Sequence, residues 1–145
     1  MSTGLAVFDT SLQDTNLWLK SIAERLGQCS RQEAYAALRA VLHALRDRLP
    51  AQAAVNFAAQ LPMLIRGLYF EGWTLPDKPE RAHTAQEFAE NVAAFLPPKY
   101  RFDPVFTSSA VFAAISQFTS AGEPAKVMSQ LPEPIRNMWR QAIAV

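Results

Sequence analysis

SRQEAYAALRAVLHALRDRLP, residues 30–50, decides how this chain is built. Ser30 and Glu33 have the spacing of a capping box, in which the serine hydroxyl accepts from the Glu33 N–H and the Glu33 carboxylate accepts from the Ser30 N–H. A helix therefore starts after Ser30. Advancing about 100° per residue places Tyr35, Leu38, Leu42, Leu45 and Leu49 on one face, and Ala37, Val41 and Ala44 widen that face past half the circumference. A helix with so wide an apolar face touches neighbours on two sides. Pro50, which has no N–H to donate and crowds the preceding turn, ends it. The stretch predicts the central helix of an all-α bundle.

Working outward, Trp18, Leu19, Ile22, Ala23 and Leu26 predict a shorter amphipathic helix opening at Asp14 or Thr15 and closed by Gly27. Downstream, AQAAVNFAAQL (51–61) predicts a short alanine-rich helix, and Pro62 suits the first position of another, MLIRGLYF (63–70). The run EGWTLPDKPERAH (71–83), with two prolines and several charges, is the expected linker. A second capping box, TAQE (84–87), then opens a helix carrying Phe88, Val92, Phe95 and Leu96, which Pro97 and Pro98 terminate. Asp103 and Pro104 start a longer helix through Phe106, Val111, Phe112, Ile115 and Phe118, and Pro124 and Pro132 each mark a further short one. No segment alternates with period two between turns, so no sheet is expected.

The same order of elements is written twice. Aligning residues 17–70 with 87–140 requires no gap and yields twelve identities, among them Gln60-Leu61-Pro62 with Gln130-Leu131-Pro132 and Ile65-Arg66 with Ile135-Arg136. Chance would supply roughly four at ordinary residue frequencies. The expectation is two tandem, internally similar multi-helix units, about 14–70 and 84–143 around the linker at 71–83, sharing one core in a single all-helical domain spanning 1–145. Neither unit has enough large apolar residues for an interior of its own. Arg66 and Arg136 are expected on helix-terminal carbonyls or on a carboxylate, with the aligned acids Glu33 and Asp103 as the candidates.

Composition narrows the function classes. Half of the 145 residues are apolar and 19% are charged, the balance of a folded globular chain. Fourteen Lys and Arg face thirteen Asp and Glu, spread evenly over both halves, so no basic surface for nucleic acid is expected. Cys29 stands alone and is expected to be a bystander thiol in a turn, and no His, Cys and carboxylate cluster has metal-site spacing. No cofactor or metal is implied. Without a signal-like start or an apolar run long enough to cross a bilayer, the expected setting is the cytoplasm, away from membranes.

Three segments, AERLG (23–27), RQEAYAALRAVLHALRDRLP (31–50) and AAQLPMLIRGLYFEGW (58–73), resemble the bacterial domain-of-unknown-function family 2267. The resemblance is close over 17–73 and weaker over about 84–140, where TAQEF and the helical layout carry it. It implies a small all-helical bacterial protein and brings no reaction, cofactor or catalytic residue.

Polar residues that the two halves do not share are the better functional candidates. On the long helix Arg39, His43, Arg46 and Asp47 form one polar stripe, aligned with Ser109, Ala113, Ser116 and Gln117. One reading makes the stripe a small anion or carboxylate site, with two guanidiniums as clamps and His43 as a proton carrier. Another makes it a solvated face. A second candidate is GLYFEGW (67–73), in which Tyr69, Phe70 and Trp73 surround Glu71 and either line a groove or simply pack. No catalytic residue is assigned. The expected function is a non-catalytic helical module that binds another protein or itself through an apolar groove where the halves or the linker meet. The alternative is a ligand-binding or catalytic protein using Arg39, His43 and Arg46 with Glu71.

Overall fold

The computed structural model describes residues 2–75, 79 and 81–144. Among the described residues there are eight helices and no strand: α1 Ala6–Leu26, α2 Arg31–Arg48, α3 Ala51–Ala58, α4 Met63–Phe70, α5 Ala85–Phe95, α6 Pro104–Phe118, α7 Glu123–Met128 and α8 Glu133–Ile143. Both capping boxes are formed. Glu33 N donates to Ser30 Oγ at 3.1 Å and Glu87 N to Thr84 Oγ1 at 3.0 Å, while each glutamate accepts from its N-cap N–H. Gly27, at φ 86°, takes the left-handed conformation that turns the chain from α1 to α2. Part of the linker, residues 76–78 and 80, lies outside the described residues.

The long helix α2 is as central as its apolar arc predicts. It packs on α1, α4, α5 and α6, and Leu38, Val41, Leu42, Leu45 and Leu49 are buried. Tyr35 differs: placed by periodicity on the core face, it is 39% exposed and lines an open groove between α1, α2 and α4. Phe106 of α6 is likewise exposed. One contiguous cluster joins Trp18, Ile22, Phe57 and Tyr69 of the first half with Phe88, Phe112, Ile135 and Trp139 of the second. The Phe112 and Trp139 rings stack at 4.3 Å, and Trp18 stacks on Phe118 at 5.6 Å across the halves.

Residues seventy apart make matching bonds. Arg66 donates from Nε to the Ala58 carbonyl at 3.0 Å and from Nη2 to Leu61 at 2.9 Å. Arg136 donates from the same atoms to Met128 at 3.1 Å and Leu131 at 2.9 Å. Each arginine closes the turn before its own helix, which excludes the proposed contacts of Arg66 with Glu33 and Arg136 with Asp103. Glu33 instead takes Arg101 from the other half, at 2.6 Å, and Asp103 caps α6 by accepting from Phe106 N at 3.0 Å. Pro62 and Pro132 hold φ −57° with ψ 152° and 151°, and each is the N-cap rather than the first helical residue.

The first helix is longer than expected. It opens at Ala6, not at Asp14 or Thr15. Leu5 offers no side-chain cap, and the N-terminal turns are tied down in two other ways. Asp9 accepts from Thr3 N at 2.7 Å, and Ser11 Oγ accepts from Leu64 N at 2.9 Å. The second bond satisfies one of the orphan N–H groups at the start of α4, where Pro62 has no capping oxygen. In the second half the position aligned with Leu64 is Pro134, which has no N–H to satisfy, and α5 has no matching extension.

Candidate functional site

The extension of α1, the start of α2 and the whole of α4 enclose an open groove of about 650 Å³. Its lining follows helical spacing: Phe8, Leu12 and Leu19 from α1, Tyr35 and Leu38 from α2, and Met63, Leu64, Gly67 and Leu68 from α4. Leu19, Leu38 and Ile65 form its buried floor. The walls are exposed. Phe8, Leu12, Tyr35, Met63 and Leu64, at 37–49% exposure, are five of the twelve exposed large apolar side chains among the described residues. Glu71 is the one charged residue in the lining.

Gly67 sits within α4 with an ordinary helical backbone, and a Cβ added there would meet nothing within 4 Å. Neither a left-handed turn nor a close neighbour demands glycine. Its presence costs α4 roughly 0.5–1 kcal/mol relative to alanine, and its effect is to keep the groove deep.

The polar stripe of α2 lies elsewhere, under the end of α4. His43, Arg46 and Asp47 are buried, so the solvated-face expectation does not hold for them. His43 Nε2–H donates to the Leu68 carbonyl at 2.8 Å. Arg46 Nη1 donates to the carbonyl of Tyr69 at 2.8 Å and to that of Glu71, while its Nε meets Asp47 Oδ1 at 3.0 Å. The Tyr69 and Glu71 carbonyls are among those left over at the end of a helix, while the Leu68 carbonyl also accepts from Glu71 N at 3.3 Å. At the positions aligned with Arg46 and Tyr69, Trp139 Nε1 donates to Ser116 Oγ at 2.9 Å. Burial, then the nearby Arg46 and Arg39 charges, holds the His43 pKa below its usual value, against the opposing pull of the Leu68 bond and Asp47.

The aromatic candidates separate. Tyr69 is fully buried and donates its hydroxyl to the Ala54 carbonyl at 2.9 Å, with burial pushing its pKa up. Trp73 packs on Phe70 with ring centroids 5.4 Å apart, and its buried Nε1 has no hydrogen-bond partner among the described residues. Glu71 is exposed at the end of the groove, 3.7 Å from Arg39. The structure thus gathers Arg46, Asp47, His43 and Tyr69 around the C-terminus of α4 and leaves Arg39 with Glu71 at the surface. Cys29 sits half-buried in the α1–α2 turn, its thiol pushed up first by burial and then by Glu33.

The apolar groove was expected where the halves or the linker meet, whereas this one is lined by α1, α2 and α4 of the first half, and sequence reasoning did not single out its walls. Met63, Leu64 and Gly67 align with Glu133, Pro134 and Asn137, and that contrast, apolar or absent against polar or proline, was the available signal.

An all-helical chain with an apolar groove and a backbone-directed polar clamp is the class that these features define. The chain belongs to the uncharacterized conserved protein family DUF2267, whose match covers residues 15–138 and so begins inside α1. No curated protein matches it. No helix among the described residues is long and apolar enough to cross a membrane.

Proposed function

We propose that this protein is a non-catalytic interaction module that docks an apolar helical surface in the groove between α1, α2 and α4. The carrying observation is that five large apolar side chains of the groove's walls, Phe8, Leu12, Tyr35, Met63 and Leu64, stand exposed around Gly67. The aligned positions of the second half make a helix of the same start with Glu133, Pro134 and Asn137 in place of Met63, Leu64 and Gly67. Exposed apolar side chains, beside a glycine that opens the space between them, suit an absent partner. The tandem-repeat origin belongs to this proposal. It is supported by the paired arginine bonds of Arg66 and Arg136, and the cluster joining the two halves favours one shared core and a single domain. Even charge and a single free cysteine favour a protein partner in the cytoplasm over nucleic acid. An anion site on Arg39, His43, Arg46 and Glu71 has less support, since Arg46 spends donors on two carbonyls and Asp47.

The test uses a soluble amphipathic Leu/Lys helical peptide, with a scrambled-stripe peptide as control, followed by backbone amide shifts. The reading expects shifts confined to Phe8, Leu12, Tyr35, Met63, Leu64, Gly67 and Leu68, and lost in Leu64→Asp. Gly67→Ala is the informative companion: it should stabilise the fold while weakening the peptide. Equal binding of both peptides, or shifts centred elsewhere, would overturn the reading.

A further inference from the structure

The groove lies beside a ridge of the same chemistry. Over residues 6–14 of α1 only Ser11 is buried. Leu5, Phe8 and Leu12, spaced three and four apart, present one apolar face at 54%, 45% and 37% exposure. Phe8 and Leu12 are at once the ridge and one wall of the groove. A convex and a concave element joined in one patch is the shape that pairs with its own copy about a twofold axis, since each ridge then meets the other groove.

We propose that the occupant is a second copy of this chain, each copy laying the first turns of its α1 into the groove of the other. The proposal rests on the docking reading above. Area supports it. Two aromatic and three aliphatic or thioether side chains, each a little under half exposed, offer roughly 400 Å² of apolar surface per copy, taking about 150–250 Å² for an aromatic and somewhat less for the others. Used reciprocally, that is about 800 Å², close to the apolar share of a standard interface of about 1,600 Å². Charge is equally permissive. A patch that meets its own copy sets like charges against each other; here the lining carries only Glu71, at one end and beside Arg39, and the docking turns of α1 add only Asp9, whose carboxylate is already engaged by Thr3.

The full chain is examined by sedimentation equilibrium across the micromolar range. The wild type should show a monomer–dimer equilibrium, and Phe8→Asp and Leu64→Asp, both at exposed positions, should each weaken it at least tenfold with unchanged far-ultraviolet circular dichroism. Reciprocal docking places Phe8 of one copy against Leu64 of the other. Phe8→Lys mixed with Leu64→Asp should therefore form a heterodimer, through one charge-paired and one native contact, where neither variant self-associates. A monomeric wild type, a dimer that survives both aspartates, or a mixture that stays monomeric would overturn the inference. The Leu/Lys peptide separates this failure from that of the docking reading: if it still binds a monomeric wild type but not Leu64→Asp, the groove docks something else, and if it does not bind, both fall.

Discussion

Arg46 offers the sharpest test of how the molecule holds its first half together. Replacing it with methionine keeps most of the apolar stem and removes the guanidinium, so packing changes little while three hydrogen bonds disappear. Two of these hold the Tyr69 and Glu71 carbonyls at the end of α4, and the third meets Asp47 at 3.0 Å. The side chain is 4% exposed, so water does not readily replace them. A hydrogen bond to a charged group contributes about 1.5–3 kcal/mol, and removing one partner of a buried pair typically costs about 3–5 kcal/mol. The expected loss for Arg46→Met is therefore about 3–5 kcal/mol, read by urea denaturation. At about 2–4 °C per kcal/mol for a chain of this size, the melting temperature should fall by roughly 10 °C. Native-state amide exchange should quicken around Tyr69–Trp73 before it does in α6. Arg39→Ala is the control. Its contact with Glu71 is 3.7 Å long between side chains 35% and 65% exposed, and such a pair is worth no more than about 0.5 kcal/mol. A loss below about 1 kcal/mol for Arg46→Met, or equal losses for the two variants, would refute the claim that the stripe is a clamp on α4.

Two further outcomes follow from the core and from His43. Leu42→Ala should cost about 2–5 kcal/mol in the same denaturation, because the side chain is fully buried on the helix that touches both halves; a change under about 1 kcal/mol would place the core elsewhere. The His43 pKa is lower in the folded chain than in the unfolded one, so below about pH 6.5 the unfolded chain binds more protons and stability declines as pH falls. His43→Gln, whose amide can still donate to Leu68, should flatten the fall in melting temperature between about pH 7.5 and 5.5; an unchanged slope would assign the pH dependence to another group. The Glu33 carboxyl, held at about 2 first by the Arg101 bond and then by the Ser30 N–H, acts in a separate window, with stability present above about pH 4.5 and lost towards 2.

The helices that announce themselves locally were legible from the residues alone. Ser30 with Glu33 and Thr84 with Glu87 mark helix starts within four residues, Pro50 marks a stop, and the apolar arc of α2 identified the helix at the centre. These signals are legible because the interacting atoms are near neighbours along the chain. The rest emerges only when distant segments are packed together. The start of α1 at Ala6 has no capping side chain of its own, and the Ser11 bond that anchors it comes from Leu64, fifty-three residues away. Arg46 and His43 stood out as a polar stripe, but their partners are backbone carbonyls of Leu68, Tyr69 and Glu71, and a carbonyl is the same whichever side chain it carries. The groove depends on how α1, α2 and α4 meet around Tyr35 and leave open space over Gly67. Helix formation depends on adjacent residues, whereas burial and vacancy depend on which distant segment arrives beside them.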